Sequence, residues 1–232
     1  MTTVGTKNEA TRDTWVRQQL RALPEGLSIL DAGSGEQPYR DDCAHLDYVA
    51  QDFGKYDPHQ QETGLQMPSW DYGKPEIVCD ITDIPRPDGS FQAILCTEVL
   101  EHVPDPLAAI REFSRLLPLG GHLILTAPFC SLTHFAPYHF STGFSRFFYD
   151  NHLKSNGFEI VELTPNGNYF EYVAQELRRL PSIAERYSGI RISRWRGRLI
   201  GSLLRFLQQC SDRDKGSSEL LSFGLHVRAV KK

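Results

Sequence analysis

The sequence predicts an α/β fold in which a doubly wound, mostly parallel sheet of seven strands carries a helical insertion before the last strand. Short apolar runs of strand length alternate with longer segments of helical periodicity, the pattern of a parallel sheet covered by helices. The first apolar run ends in Asp31 and then Gly33-Ser34-Gly35, where the backbone must turn tightly. With 232 residues, 40% of them hydrophobic, the chain is long enough for one domain, residues 1–232, with a substantial core.

The individual elements follow from the apolar periodicity and from the Gly and Pro residues that interrupt it. Strands are predicted over residues 27–30, 46–50, 77–79, 91–96, 122–127, 158–163 and 223–230. Helices are predicted over residues 11–23, 107–117, 144–156, 169–180 and 190–209, the first being ended by residues 24–26. The last strand is expected to add antiparallel to the edge of the sheet. Residues 54–74 have no clear period, and we interpret them as an irregular connection that could act as a mobile flap.

The composition excludes several classes of function. A net charge of −4 gives no overall reason to expect nucleic acid as a partner. The five cysteines are odd in number and include no C-x-x-C pair, so neither a disulfide framework nor a thiolate zinc site is indicated. A polar N-terminus and apolar runs no longer than a strand argue against a signal peptide or a membrane span. We therefore expect a cytoplasmic protein.

The glycine turn indicates the kind of ligand that it holds. A dinucleotide-binding turn would have a third glycine, and Pro38 stands at that position. Asp31, two residues before the first glycine, would repel a phosphate but suits a ligand with an ammonium or sulfonium group. The alternative is a strand-to-helix turn that binds no cofactor.

An apolar strand followed by Asp31, Gly33 and Gly35 resembles the first motif of class I S-adenosylmethionine-dependent methyltransferases, Asp/Glu-x-Gly-x-Gly. The resemblance implies a Rossmann-like fold and S-adenosylmethionine as cofactor, with these three residues in its binding site. It covers residues 27 to about 163 and the final strand. The spacing of the acids that follow extends it.

Acids also follow the second and third predicted strands. Asp52 comes seventeen positions after Gly35, at the end of the second strand, where an acid accepts hydrogen bonds from ribose hydroxyls. Asp80 and Ile81 follow the third strand and resemble the family's adenine pocket, in which the acid takes the exocyclic amine. We predict that all three residues bind the cofactor.

The fourth strand runs directly into Glu98-Val99-Leu100-Glu101-His102. Glu98, Glu101 and His102 are one helical turn apart, so their side chains could converge on a divalent cation. The stretch resembles the Glu-x-x-Glu-His motif of metal-assisted O-methyltransferases, which implies Mg²⁺ or Mn²⁺ held by these residues. We also count Glu98 among the cofactor-binding and catalytic candidates. The alternative is that no metal binds and that Glu101 and His102 serve packing or capping, as in many class I methyltransferases.

The loop after the fifth strand, residues 128–142, contains two further histidines. The resemblance to metal-assisted enzymes implies that a histidine here completes the metal site; His139 is the better positional match and His134 is the alternative. Without a metal, either could be the general base that removes the acceptor proton, because a neutral imidazole suits that role near pH 7. A plain hydrogen-bonding role is the remaining interpretation of each.

The predicted insertion, residues 168–220, is rich in arginine and apolar side chains. Between residues 178 and 205 Glu185 is the only acid, against Arg178, Arg179, Arg186, Arg191, Arg194, Arg196, Arg198 and Arg205. Apolar residues are interleaved with them: Trp195, Leu199, Ile200, Leu203, Leu204 and Phe206. Three interpretations compete: a lid over an anionic acceptor, a peripheral contact with anionic lipid, and a homo-oligomer interface.

Taken together, these observations predict an S-adenosylmethionine-dependent O-methyltransferase that acts on a hydroxyl of a small molecule, a sugar or saccharide being favoured, with assistance from a divalent metal. An RNA 2′-O-methyltransferase is the rival enzyme, and the acidic net charge counts against it. A non-catalytic partner subunit that keeps the fold is the alternative from another class. The intact acids and glycines disfavour it.

Overall fold

The structure is a computed structural model that describes residues 2–60 and 63–232; residues 61 and 62 of the predicted irregular connection lie outside the described residues. The chain forms two compact units. The sheet unit comprises Asp13–Thr164 and Gly224–Lys232, and the helical unit comprises Met1–Arg12 and Pro165–Phe223.

Seven strands form one sheet in the order β3-β2-β1-β4-β5-β7-β6. They are β1 Ser28–Ala32, β2 Asp47–Asp52, β3 Ile77–Val78, β4 Ala93–Thr97, β5 His122–Pro128, β6 Phe158–Asn166 and β7 Gly224–Lys231. β1 pairs in parallel with β2 and β4, β2 with β3, and β4 with β5, whereas β7 is antiparallel to β5. The predicted seven-stranded α/β fold is confirmed.

The position of β7 corrects one expectation. It does not add to the edge of the sheet but lies between β5 and β6. Its first four residues are all buried, whereas only the first and last residues of β6 are buried. A strand covered on both faces belongs in the interior of a sheet, and a half-exposed strand can form its edge.

Helices α1 Asn8–Arg21, α2 Pro106–Leu116 and α3 Arg146–Ser155 accompany the strands. Asp105 caps the N-terminus of α2, and its carboxylate accepts a hydrogen bond from the Ala108 backbone N–H at 2.9 Å. Neighbouring residues of β1 face opposite sides of the sheet: Leu30 packs in the larger core cluster with α2, and Ile29 packs in a second cluster with Trp15 of α1. The sheet unit thus has helices on both faces.

Two long helices make up most of the helical unit, α4 Tyr169–Ser188 and α5 Arg194–Ser211. The α4 helix continues beyond its predicted end at residue 180, through Pro181, and stops at Gly189 in the left-handed conformation. Ala174 of α4 and Leu204 of α5 pack with Val4 from the N-terminal segment. Among the described residues, no helix has both the length and the apolar character needed to cross a membrane.

This topology determines where a ligand can sit. The parallel strands β1, β2, β3, β4 and β5 end at the same edge of the sheet, and the strand order reverses between β1 and β4. Ligands of open α/β sheets bind at that edge, next to such a reversal. The glycine turn, the acids after β2 and β3, residues 98–102 and the loop after β5 all lie at these strand ends.

Candidate active site

The glycine turn follows β1 and is held by hydrogen bonds to β2. The backbone N–H groups of Gly33 and Ser34 both donate to the carbonyl oxygen of Gln51, each at 2.9 Å. Gly33 has φ of +76°, and a Cβ there would lie 2.5 Å from Cγ2 of Val99. The turn therefore needs a residue without a side chain for both conformational and steric reasons.

Gly35 makes a second close approach in the same turn. Its φ is +50°, and a Cβ there would lie 2.9 Å from Cζ2 of the Trp70 indole. Trp70 belongs to the predicted irregular connection, so that segment covers the turn in this structure. Next to Trp70, the Asp71 backbone N–H donates to the Glu36 carboxylate at 3.1 Å.

Asp31, at the end of β1, is buried and accepts a hydrogen bond from one phenol. The Tyr48 hydroxyl donates to Oδ2 of Asp31 at 2.6 Å. Burial and, to a smaller extent, the Asp52 charge raise the pKa of Asp31, and the Tyr48 hydrogen bond lowers it. The resulting pKa is about 7. A carboxyl with this pKa responds strongly to a nearby cation such as a ligand ammonium group.

Asp52, at the end of β2, accepts hydrogen bonds from the backbone of two loops. Its Oδ2 accepts from the Gly35 backbone N–H and its Oδ1 accepts from that of Gly54, both at 2.9 Å. Burial raises the pKa of Asp52, opposed by these backbone hydrogen bonds. Each carboxylate oxygen has two lone pairs, so ribose hydroxyls could still donate to Asp52.

The residues after β3 differ from each other in environment. Asp80 is exposed, and its Oδ1 accepts from both the backbone N–H and the hydroxyl of Thr82 at 2.9 and 2.7 Å. Ile81 is buried in the larger core cluster. Both follow the carboxyl-terminal end of β3, and their contact with the adenine ring stays a prediction.

One atom of the turn supports a bound ligand. The Ser34 hydroxyl is buried, and among the described residues it has no hydrogen-bond partner. A buried hydroxyl without a partner is costly, and a polar ligand in the turn would satisfy it. Together with the close glycine backbone and the Asp31 carboxyl, it fits the methionine end of S-adenosylmethionine.

Three side chains converge beyond β4 and β5: Glu101, His102 and His134. One donor atom from each lies within 4.8 Å of the others. Oε1 of Glu101 is 3.7 Å from Nε2 of His102 and 3.9 Å from Nε2 of His134. Glu101 is completely buried, and the two imidazoles are half-buried.

The protonation of both imidazoles follows from their other nitrogens. Nδ1 of His102 lies 2.5 Å from the Tyr138 carbonyl oxygen, and Nδ1 of His134 lies 2.9 Å from that of Leu132. A carbonyl only accepts, so each Nδ1 carries a proton, and the neutral His102 ring presents a lone pair at Nε2. Burial, with the neighbouring His134, lowers the pKa of His102 to about 3, so that ring is neutral near pH 7.

The Nε2 atoms of both imidazoles face the buried Glu101 carboxylate, and a cation could lie between the three groups. Two histidines and one carboxylate are also a common ligand set for divalent transition metals. Each histidine is oriented by a backbone carbonyl, as metal-binding histidines usually are. Glu101, His102 and His134 could therefore hold a divalent cation.

Glu98 and His139 lie outside this three-residue cluster, as far as the described residues show. Glu98 has φ of +54° and accepts from the Thr126 hydroxyl at 2.9 Å, and the short 3-10 helix Leu100–His102 begins after it. The three motif residues therefore do not share a regular helical turn. Nε2 of His139 lies 3.2 Å from the Ser131 hydroxyl oxygen, and its ring centroid is 5.1 Å from that of His134.

An aromatic cluster, consisting of Tyr56, Trp70, Tyr72 and Phe135, lies beside the histidines. Phe135 stacks on Tyr56 with centroids 4.3 Å apart and meets Trp70 edge to face at 4.8 Å. The same Phe135 ring is 5.1 Å from the His102 ring. The cluster joins the irregular connection to the loop after β5, beside the glycine turn and the histidines.

Several residues of the site were not identified in the sequence. Ser34 is the variable residue of the Gly-x-Gly motif, and Gln51 directly precedes Asp52, so both positions could have been noticed. Trp70 lies in a segment without periodicity, and nothing local links it to Gly35. Tyr149 of α3 is fully buried; burial, with the Glu101 charge, raises the pKa of its hydroxyl well above the usual value.

Solved structures show the class of fold. The chain superimposes on a sarcosine dimethylglycine methyltransferase of Galdieria sulphuraria, described as putative in its source, with a TM-score of 0.55, 13% identity, and coverage of 97% of this chain and 86% of that one. A putative methyltransferase of Bacillus halodurans gives a TM-score of 0.55 and 16% identity over 95% and 99% of the two chains. At these identities the likeness concerns the fold, which is that of class I S-adenosylmethionine-dependent methyltransferases.

The family is shown by sequence. A family model described as a methyltransferase domain matches residues 8–180, most of the chain, and the chain belongs to this methyltransferase family. It is also 35% identical over 114 residues to the ubiquinone biosynthesis O-methyltransferase of Xanthomonas axonopodis pv. citri (strain 306), covering 46% of this chain and 45% of that protein. The protein of the same name from Xanthomonas oryzae pv. oryzae (strain PXO99A) is 60% identical over 38 residues, 16% of each chain. The chain thus matches less than half the length of these curated relatives.

Proposed function

We propose that the chain transfers the methyl group of S-adenosylmethionine to a hydroxyl of a small molecule, with a divalent cation held by Glu101, His102 and His134. The observation that carries the proposal is the convergence of the Nε2 atoms of His102 and His134 on the buried Glu101 carboxylate. Family membership and likeness to O-methyltransferases support the methyl transfer.

The turn after β1 supplies the cofactor contacts. We expect the Asp31 carboxylate to attract the ammonium group, Ser34 to bond the methionine end, and Asp52 to accept from the ribose hydroxyls. The cofactor supplies a methyl group already activated by the positive sulfur. The protein has to align the acceptor oxygen with that methyl carbon and to remove the acceptor proton.

His139 is the general base of this proposal. Burial and the neighbouring His134 lower its pKa below the ordinary value of 6.5, so the ring is neutral near pH 7 and can accept a proton. The Ser131 hydroxyl is placed to orient the ring. A bound cation would lower the pKa of an acceptor hydroxyl and make this proton transfer easier.

For the acceptor we keep a sugar or saccharide-like hydroxyl and add one candidate, a hydroxyl on an aromatic ring. Leu132 and Phe140 of the loop after β5 are exposed, and the Phe140 backbone N–H donates to the Glu101 carbonyl at 2.9 Å. Apolar side chains beside the cluster suit either the C–H face of a sugar or an aromatic face. The likeness to O-methyltransferases of ubiquinone biosynthesis favours the aromatic candidate.

The test begins with titration calorimetry of S-adenosylmethionine, with and without Mg²⁺ or Mn²⁺. Transfer of labelled methyl groups to sugars and to catechols is then measured in matched reactions, each with and without a chelator. Cofactor binding with chelator-sensitive transfer supports the proposal. If a chelator leaves methyl transfer unchanged, the metal is no longer part of the proposal. If S-adenosylmethionine does not bind, the proposed methyl transfer is overturned as well.

A further inference from the structure

The outer face of α5 carries a continuous apolar stripe. Trp195, Leu199, Leu203 and Phe206 are 58%, 55%, 51% and 60% exposed. Their spacing of three and four residues places them on one side of the helix. The inner face of the same helix, with Leu204 and Leu207, packs against Val4 and Ala174. Among the described residues of the helical unit, only the inner face is covered.

Arginines flank this stripe. At 100° per residue, Arg194, Arg198 and Arg205 fall together in a strip beside it, on the side away from the inner face. Among the described residues, none of these three arginines has an ion pair. Arg196 lies over the Trp195 ring, 5.3 Å from its centroid.

Other arginines of the insertion form hydrogen bonds or ion pairs within the helical unit. Arg178 donates to the carbonyl oxygens of Thr2 and Val4, Arg179 pairs with Glu176, and Arg191 pairs with Glu185. The uncompensated positive charge is therefore concentrated on α5. The whole chain is acidic, with a net charge of −4, so this local charge is not a general property of its surface.

The same surface continues past the end of α5. Phe206 shares an open pocket of about 400 Å³ with Arg213, Lys215 and Asp214. The Asp214 carboxylate accepts from the backbone N–H groups of Gly216 and Ser217, which hold it toward the chain. Two further cations thus lie next to the last apolar residue of the stripe.

An anionic bilayer fits this combination best. Nucleic acid would pair with the arginines but would leave aliphatic side chains such as Leu199 and Leu203 without a matching surface. A two-fold interface with a second copy would bring the same arginines together from both copies. A bilayer surface offers acyl chains for the stripe and phosphates for the arginine forks.

We propose that the outer face of α5 binds the surface of a bilayer that contains anionic phospholipid, with the helix lying in the plane of the interface. The apolar stripe enters the boundary between headgroups and acyl chains. Arg194, Arg198 and Arg205 contact phosphates beside it. Binding is then reversible and weakened by salt, because part of it is electrostatic.

The test is co-sedimentation of the full chain with phosphatidylcholine vesicles, with and without phosphatidylglycerol, at low and high salt. We expect binding only to the anionic vesicles, decreasing as salt increases. Replacing the three flanking arginines (Arg194→Gln, Arg198→Gln and Arg205→Gln) should weaken binding on the order of a hundredfold. The stripe variant, Leu199→Ser, Leu203→Ser and Phe206→Ser, should abolish it. Circular dichroism and thermal unfolding check that both variants fold.

A matched control removes three exposed arginines of the sheet unit: Arg86→Gln, Arg111→Gln and Arg146→Gln. It changes the net charge equally and should leave binding unchanged. Brominated phospholipid should quench the fluorescence of Trp195, and the quenching should be lost in Trp195→Phe. The proposal is overturned if the chain does not bind anionic vesicles at low salt, or if the control variant loses binding equally. It is also overturned if the chain binds RNA through the arginines but not the stripe. A dimer that is lost in the stripe variant, with no vesicle binding by the wild type, overturns it too.

Discussion

The Tyr138 carbonyl oxygen lies 2.5 Å from Nδ1 of His102, and this one contact fixes which nitrogen of the ring can act as a ligand. With the proton on Nδ1, the Nε2 lone pair lies 3.7 Å from Oε1 of the buried Glu101. In His134, Nδ1 lies 2.9 Å from the Leu132 carbonyl oxygen and Nε2 lies 3.9 Å from Oε1 of Glu101. The predicted metal set shared Glu101 and His102 with this cluster but included Glu98 and His139.

Metal binding distinguishes the two sets. We expect Glu101→Gln and His134→Asn each to weaken Mn²⁺ affinity by at least about tenfold, because each loses one of three converging donor atoms. Glu98→Gln and His139→Asn should bind the ion normally. Calorimetric titration of Mn²⁺ measures this directly. If His139→Asn loses affinity and His134→Asn does not, the three-residue cluster is not the metal site.

The general base makes a separate prediction. His139→Gln should lower kcat by a factor of about 10² to 10⁴ without changing S-adenosylmethionine affinity, since it removes a proton acceptor and no cofactor contact. In the wild type, kcat should fall as pH drops below the lowered pKa of His139 and stay level above it. Exposed His59, replaced in His59→Gln, is the control. Unchanged kcat in His139→Gln would assign the base elsewhere.

A matched pair of glycines tests the turn. Gly33 and Gly26 have φ of +76° and +77°, so a side chain strains the backbone equally at both positions. Only at Gly33 does the new Cβ meet another atom, 2.5 Å away on Val99. Gly33→Ala should therefore cost about 1 to 3 kcal/mol more free energy of unfolding than Gly26→Ala, and it should also weaken cofactor binding. Urea unfolding of both variants measures the difference, and equal losses would show that the turn adapts.

The buried Asp31 predicts a pH dependence with a definite sign. Its folded pKa, about 7, lies above the ordinary 3.8, so below about pH 4 both states are protonated and its stabilising contribution is complete. As pH rises, the unfolded chain ionises first, and the contribution is lost by the time pH passes about 7. Asp31→Asn should flatten this decline in the free energy of unfolding, measured without cofactor. An unchanged slope in that variant would contradict the assignment.

Cofactor binding should show the opposite trend with pH, because an ammonium group favours the ionised carboxylate. We expect S-adenosylmethionine affinity to rise as pH increases through about 7. Tyr48→Phe, which removes a hydrogen bond that lowers this pKa, should move the transition to higher pH. Calorimetry in buffers of different ionisation enthalpy would detect the released proton. A transition that Tyr48→Phe does not move would exclude Asp31 as its origin.

Local sequence was sufficient for the strands and for the residues that end them. Asp31, Gly33 and Asp52 lie where predicted because apolar runs and turn residues determine strand ends without reference to distant segments. Local sequence did not determine which histidine of the loop after β5 lies next to Glu101. His134 and His139 both lie in a loop whose path depends on distant contacts, such as the Leu65 backbone N–H donating to the Thr133 carbonyl.

The positive φ of Glu98 is a second feature that the sequence did not predict. A helical spacing of Glu98, Glu101 and His102 assumes a regular turn, and no periodicity reveals that the first residue is left-handed. Likewise, the approach of Trp70 to Gly35 joins residues from unlike segments of the chain. Such contacts result from packing of the whole unit, so an apolar pattern alone does not encode them.

The place of β7 also bears on how the chain is made. Gly224–Lys231 is synthesised after every other strand, yet it lies between β5 and β6 in the sheet. While the nascent chain leaves the ribosome, one edge of β5 and one edge of β6 therefore have no permanent neighbour. Unpaired strand edges invite association with other chains, so the interval before β7 emerges is the one in which a chaperone would protect this protein most.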